Sequence, residues 1–482
     1  MTIFLIGHDF KYETEATVKL FFPAMRFAFC TEDAPCTGDY IRTACTPSAI
    51  TVETSLSGVI RFREAPLPED GETAEYALCR VLFAHLSAVT GITPPWGMLT
   101  GIRPVRMLTA AVEQGHTLEQ AAVRMQQTYQ VTEQKLELAK ETARVQLPLL
   151  KGLAPDSVSL YLSIPFCPSR CSYCSFVSHS IAEAGSLIPA YVDCLCREIA
   201  IYGDMLRQLH LKLDTVYIGG GTPTALSPEQ LDQIMDTIRR CVNLDGIREY
   251  TVEAGRPDTI TPEKLEVIRR HGARRISINP QTLNDAVLRA IGRKHTAQQT
   301  VDAFRLARSM GFSNINMDLI AGLPQDTPDS FRNTLDQVIA LDPESVTVHT
   351  LTLKRAADLY AQGAHQIANP ASAMVDYSTA RLPEAGYQPY YLYRQKNTLE
   401  NLENVGYAKP GYESLYNILI MDETQTIFGA GCGASTKLVC PGGKITRIRN
   451  YKFPYEYIGQ FDTLMEKKDQ IRRIMEGADY GV

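Results

Sequence analysis

The 482-residue sequence has no run of about 18 apolar residues, so no membrane-spanning helix is expected. Its opening, Met1 to Lys11, lacks a basic stretch ahead of a long apolar core, and no signal peptide is expected there. It also lacks a basic tail or arginine-rich run. The 48 Lys and Arg against 54 Asp and Glu leave a net charge of −6, so a nucleic-acid partner is not expected. Tryptophan occurs once, at Trp96, and no repeat of fixed period is visible. There is no disulfide framework either. Most of the twelve cysteines are scattered, which points to a reducing, cytoplasmic setting. Cys30, Cys36 and Cys45 are spaced too widely to nominate a metal cluster.

What is present is enough chain for two or three domains, with an ordinary apolar fraction of 45%. Thr2–Gly7, Ala16–Phe22, Ala49–Glu53 and Gly58–Phe62 read as strands. Helical spacing follows from Thr73 and, after a break at Thr93–Pro104, resumes to about Leu150. Residues 1–150 are thus expected to form an α/β extension with a helical connector. Its role is not legible, and Arg103 and Arg106 suit either an anionic ligand or a solvated surface.

From Ser157 to Leu353 strands and helices alternate. Strands are expected at Val158–Ile164, Leu213–Ile218, Glu249–Ala254, Arg275–Ile278, Ile315–Ile320 and Ser345–Leu351. Helices between them open on a cap and proline at Ser227-Pro228, Thr261-Pro262 and Thr327-Pro328. Such alternation implies a parallel sheet with right-handed crossovers, here a partial six-stranded β/α barrel over residues 151–360. Residues 361–482, where the pattern stops, are read as an α+β extension that closes the active site.

In such barrels chemistry sits at the carboxyl ends of the strands. The first strand runs into Cys167, Cys171 and Cys174, spaced C-x3-C-x2-C. Three thiolates are one short of a closed zinc tetrahedron. On a [4Fe-4S] cubane they leave one iron open. The second strand ends in Gly219, Gly220, Gly221 and Thr222, where missing side chains let backbone approach a ligand. Glu253, Gln281, Asp318 and His349 end the next four. Each has a plainer reading: a tight turn, a paired core acid, a satisfied core histidine, or helix-end charges for Arg293 and Lys294. Their convergence on one rim favours the site.

The cysteine loop resembles that of radical S-adenosylmethionine (SAM) enzymes, in which the open iron takes the amino and carboxylate groups of SAM. Tyr161–Cys174, Gly219–Thr224, Glu253, Ser277–Gln281, Asp318–Gln325 and Gly429–Ala434 together resemble the oxygen-independent coproporphyrinogen III oxidase family over about residues 157–450. The N-terminal extension, Glu253–Asp258, Gly292–His295 and Leu392–Asn397 look most like its longer, HemZ type. By that resemblance Tyr161, Gly221, Glu253 and Ala434 or Ser435 would contact SAM on the cluster. Tyr173, Thr222, Gln281, Arg293, Asp318 and Thr352 would line a second SAM position, so one or two SAM molecules are implied.

The implied reaction is oxidative decarboxylation of two propionates of a tetrapyrrole, coproporphyrinogen III, to vinyls. An electron donor such as flavodoxin or ferredoxin is implied with it. Arg256, Lys354, Arg394 and Lys396 are candidate cations for the carboxylates, and Tyr387–Tyr393 offers rings to stack on a tetrapyrrole or form an aromatic surface. Cys432 suits a hydrogen donor or a small residue in a tight turn.

Two departures matter. HemN-type enzymes add a fourth cysteine where this chain has Phe176, and Ser175-Phe176 is closer to the haem-chaperone branch. That branch carries a histidine where this chain has Tyr416, and its loss argues against a haem-carrying role. A haem-binding chaperone of the HemW type, or a radical SAM enzyme acting on haem, therefore stands as the alternative.

Overall fold

A computed structural model describes residues 1–23, 25–67, 72–101, 103–176, 178–352, 370–396 and 398–477. They divide into two compact units, Met1–Lys140 with Arg394–Leu402, and Glu141–Tyr393 with Glu403 onward.

The first unit holds a five-stranded sheet of β1 (Thr2–Ile6), β2 (Ala28–Cys30), β3 (Tyr40–Cys45), β4 (Ala49–Leu56) and β5 (Val59–Pro66), in the order β2-β1-β3-β4-β5. Ile3, Leu5, Ile41, Ile50 and Val52 pack on Leu78, Val81, Leu82 and Leu86 of the helix Ala74–Thr90. The stretch Ala16–Phe22, expected as a strand, instead falls largely in the helix Lys11–Lys19. Its β-branched residues suggest a strand, but Thr14, Thr17 and Val18 are the buried ones, and that spacing of three and four is helical. Burial decided it.

The second unit is built on one sheet of eleven strands. Its parallel centre is β6 (Ser157–Ile164), β9 (Lys212–Gly220), β10 (Glu249–Gly255), β11 (Arg275–Ile278), β12 (Asn314–Ala321) and β13 (Ser345–Thr350), neighbours in that order. The two-residue strands β7 (Phe166–Cys167) and β8 (His179–Ser180) pair separately. Chain beyond the barrel extends both edges. β14 (Gln388–Arg394) and β15 (Glu403–Ala408) lie beyond β13. β16 (Ile427–Ala430), β17 (Ser435–Val439) and β18 (Ile445–Arg449) continue from β6.

The intervening helices start where their capping residues say they should. Ser227, Thr261, Thr296 and Thr327 each accept a hydrogen bond from the first-turn backbone, and Ser227 and Thr296 complete capping boxes with Gln230 and Gln299. Along the parallel strands Leu160, Leu162, Val216, Ile218, Val252, Ile276, Ile315, Met317 and Val346 are almost wholly buried on one face. Alternate positions are polar and bonded across strands. Thr215 Oγ1 lies 2.7 Å from Ser159 Oγ, Asn316 Nδ2 2.9 Å from Ser277 Oγ, and Arg275 Nη2 3.1 Å from Ser345 Oγ. A sheet buried on both faces normally runs apolar throughout. Here one face is a polar lining, which is what a site inside a barrel requires. Among the described residues, no helix is long and apolar enough to cross a membrane.

Candidate functional site

The cysteine loop leaves β6 and is clasped at its base by β7 and β8, which pair Phe166 with His179 and Cys167 with Ser180. A turn closes from the Cys174 amide to the Cys171 carbonyl at 3.0 Å. The Ser172 amide donates to the Ile291 carbonyl at 3.1 Å, and Ser169 Oγ reaches the Gly292 carbonyl at 3.3 Å, fastening the loop to the chain after β11. Burial raises the thiol pKa of Cys167, and takes that of Cys174 to about 11.

The glycines at the end of β9 lie against this loop. The Gly221 amide donates to the Ile164 carbonyl at 2.8 Å, and the Thr222 amide to the Phe166 carbonyl at 2.9 Å. Thr222 Oγ1 sits 3.4 Å from Cys167 Sγ. A β-carbon on Gly219 would stand 2.9 Å from the Glu253 carboxylate and from the Tyr217 ring. Gly220 has φ +111°, a backbone that side chains disfavour. A β-carbon on Gly221 would meet the Phe166 carbonyl and Cys167 Sγ, so each glycine of the triplet is demanded for its own reason.

Glu253, at the end of β10, is half-buried and accepts a 2.6 Å hydrogen bond from the Tyr217 hydroxyl. Burial pushes its carboxyl up to about 7; the Asp318 charge adds to this and the Tyr217 hydroxyl opposes it. Tyr161 and Tyr217 stack with Tyr416, the Tyr217 and Tyr416 rings lying 4.3 Å apart between centroids. Tyr416 thus occupies the barrel lining instead of offering a free side chain.

A second chain of contacts runs from Tyr173 to Asp318. Arg293 donates to the Tyr173 hydroxyl oxygen at 3.2 Å and to the Asn279 carbonyl at 2.7 Å. The Asp318 amide donates to Asn279 Oδ1 at 3.3 Å, and the Gln281 amide to the Asp318 carbonyl at 2.9 Å. Gln281 holds φ +67°, and its buried Oε1 has no partner among the described residues. Burial opposes the charge on Asp318, yet His349 and Asn316 keep its carboxyl below the usual range. His349 Nδ1 in turn lies 3.3 Å from the Tyr393 hydroxyl. Thr352 Oγ1 donates to the Thr350 carbonyl at 3.3 Å.

Ala434 lies in the turn between β16 and β17, 2% exposed, beside Ser435, whose buried hydroxyl has no partner. A network that sequence reasoning missed holds that turn. Glu198, wholly buried, accepts from the Gly431 amide at 2.8 Å, from Tyr457 at 2.5 Å and from Asn450 at 2.8 Å, and pairs with Lys468 at 2.5 Å. Tyr191 bridges the Ser163 carbonyl, at 2.5 Å, to the Cys432 amide, at 3.0 Å. Cys432 Sγ is spent on the Lys452 carbonyl at 2.9 Å. Single acids and lysines on amphipathic helices carry no sequence signal for such a role.

Of the four candidate substrate cations, three fall among the described residues. Lys354 is outside the described residues. Lys396, in the first unit, donates to the Tyr12 hydroxyl at 3.0 Å. Arg394, also there, donates to the Leu99 and Asn401 carbonyls. Arg256 is turned onto the cysteine loop.

The residues present fit an iron–sulfur cluster with a polar ligand on it. Among the described residues no three His, Cys, Asp or Glu side chains converge on one metal ion. Cubane thiolates bind three separate irons and need no such convergence. Among the described residues the buried Gln281 and Ser435 side-chain oxygens have no partner, and a ligand's donors would satisfy them.

Comparison with known proteins agrees. Residues 161–338 match the Radical SAM superfamily. The chain is similar to the oxygen-independent coproporphyrinogen-III oxidase-like protein HemZ of Bacillus subtilis (strain 168), 43% identical over 403 residues, 82% of this chain and 80% of that one. It is also similar to the heme chaperone HemW of Lactococcus lactis subsp. lactis (strain IL1403), 32% identical over 58% of this chain and 69% of the relative. Among solved structures, coproporphyrinogen III oxidase (HemN) from Escherichia coli shares the fold, with a TM-score of 0.50 and 24% identity over 66% of this chain and 72% of that one.

Proposed function

Since the chain belongs to the oxygen-independent coproporphyrinogen-III oxidase-like family of radical SAM proteins, whose [4Fe-4S] cluster and SAM it shares, we propose that it decarboxylates coproporphyrinogen III to protoporphyrinogen IX. The observation that carries this reading is the 43% identity to a coproporphyrinogen-III oxidase-like protein across 82% of the chain. Each of two propionates loses a hydrogen atom from its β-carbon, carbon dioxide and one electron, which passes to an external one-electron acceptor, and a vinyl group remains. Bound together, cluster and SAM supply a radical able to take hydrogen from an unactivated C–H bond, which no acidic or basic side chain can do.

The chain's own part is to hold and to exclude. Cys167, Cys171 and Cys174 bind three irons, leaving the fourth open. The backbone of Gly219, Gly220 and Gly221 would hold the methionine amine of SAM, and Tyr161, Glu253 and Ala434 would contact the same ligand. Tyr173, Thr222, Gln281, Arg293, Asp318 and Thr352 line a second SAM position on the same rim. Placing a β-carbon against a radical source in a closed, dry site is the catalytic contribution left to protein. A cytoplasmic setting with a flavodoxin- or ferredoxin-like electron donor fits this chemistry.

The test is anaerobic incubation of the reconstituted protein with coproporphyrinogen III, SAM and a reductant. Protoporphyrinogen IX and two carbon dioxide per turnover are expected. Deoxyadenosine without vinyl products, or tight stoichiometric haem binding without turnover, would overturn the proposal.

A further inference from the structure

At the end of β10, Gly255 turns the backbone with φ +32° and delivers Arg256, 3% exposed, onto the cysteine loop. Its Nε and Nη2 are engaged by the two oxygens of Asp258, at 2.9 and 2.7 Å. Nη1 lies outside that fork. It points into the loop, 3.1 Å from Ser169 Oγ, 3.4 Å from the Ser169 carbonyl and 3.9 Å from Cys171 Sγ. The Asp258–Arg256 pair is thus a dipole whose buried, positive end faces the sulfur while its carboxylate end reaches the surface. His295, packed beside it with Nδ1 3.8 Å from Asp258 Oδ1, adds no charge at neutral pH, because burial lowers its pKa to about 4.

A guanidinium costs several kcal/mol to bury, and one carboxylate takes up only half of its donor fork. Directing the remaining donor at a neutral thiol recovers little of that cost. Directing it at a cluster thiolate recovers more, and hydrogen bonds and net charge around cluster sulfurs set the ease of reduction. We infer that Arg256, oriented by Asp258, is a positioning residue that donates to the Cys171 sulfur and makes the cluster easier to reduce. The inference rests on the reading of Cys171 as a cluster ligand. It also takes Arg256 away from the substrate carboxylates.

The test is an EPR-monitored redox titration of the reconstituted protein, with iron content measured alongside. Arg256→Gln removes the positive end of the dipole, so the cluster midpoint should move to a more negative potential. Asp258→Asn leaves the guanidinium without its anion, so the midpoint should move the opposite way. Arg293, held by Asn279 and Tyr173, supplies the same background charge in both variants.

Opposed shifts support the inference, because general damage to the loop would move both variants alike. Unchanged midpoints, shifts of one sign, or loss of cluster from both variants would overturn it. So would an Arg256→Gln protein with a wild-type midpoint and weakened substrate binding. If the wild-type chain itself held no cluster, the assignment of the cysteine loop would be what had failed.

Discussion

A β-carbon on Gly221 would sit 2.8 Å from the Phe166 carbonyl oxygen and 2.9 Å from Cys167 Sγ. Both neighbours belong to a clasped backbone that cannot give way freely. Gly221→Ala is expected to cost about 1–3 kcal/mol, in the range of other overpacked sites, and to lower iron incorporation. Urea denaturation and iron analysis check this, and wild-type iron content in the variant would refute it. Glu253 makes a demand of another kind. Its carboxyl is raised to about 7 in the fold and returns to an ordinary value on unfolding, so the folded state prefers it neutral. The cluster-free protein should therefore lose stability as pH rises from about 4.5 to 7, with no further loss from this group above that. Full linkage would amount to roughly 3 kcal/mol. Glu253→Gln should remove that slope, as read from denaturation midpoints at pH 5 and pH 8. Both residues were legible in sequence as strand-end features. What each one touches was not.

Among the elements, the parallel strands and most of their helices can be read from the chain, because alternation and Ser/Thr caps are local signals. The strand Arg275–Ile278 matches its expected bounds, and the helices Pro228–Cys241 and Pro328–Leu341 begin at the prolines expected to open them. The helix Lys11–Lys19 departs from the expected strand because strand propensity reports fit to a half-buried sheet, whereas its buried positions Thr14, Thr17 and Val18 recur at helical spacing. The C-terminal helix Phe461–Met475 shows how a distant element reaches the site. Its Lys468 pairs with Glu198, which holds the Gly431 amide in the turn before Ala434. Both charges are buried, so removing one leaves the other uncompensated. Lys468→Met alone is expected to cost about 3–5 kcal/mol, and the double variant with Glu198→Leu to lose less than the sum of the two single losses. A urea series across the two single variants and the double decides. Additive losses would show that the pair is not coupled.

For the whole molecule, two compact units with separate cores predict two thermal transitions. The cysteine loop belongs to the second unit, and metal binding is coupled to folding of the unit that supplies the ligands. Scanning calorimetry under anaerobic conditions should show cluster loading raising one midpoint and leaving the other in place. A single transition, or a shift of both, would contradict this.

By itself the sequence determined the barrel, its cysteine loop and the family, because these depend on local spacing: C-x3-C-x2-C, glycines after a strand, and caps before helices. Only the tertiary structure decided that Arg256 faces the cysteine loop, that Tyr416 fills the barrel lining, and that Lys468 reaches the turn beside Ala434. Those outcomes depend on which buried charge finds which partner across 85 to more than 250 residues of chain, as in Cys171–Arg256 and Glu198–Lys468, and local pattern carries no record of such pairings.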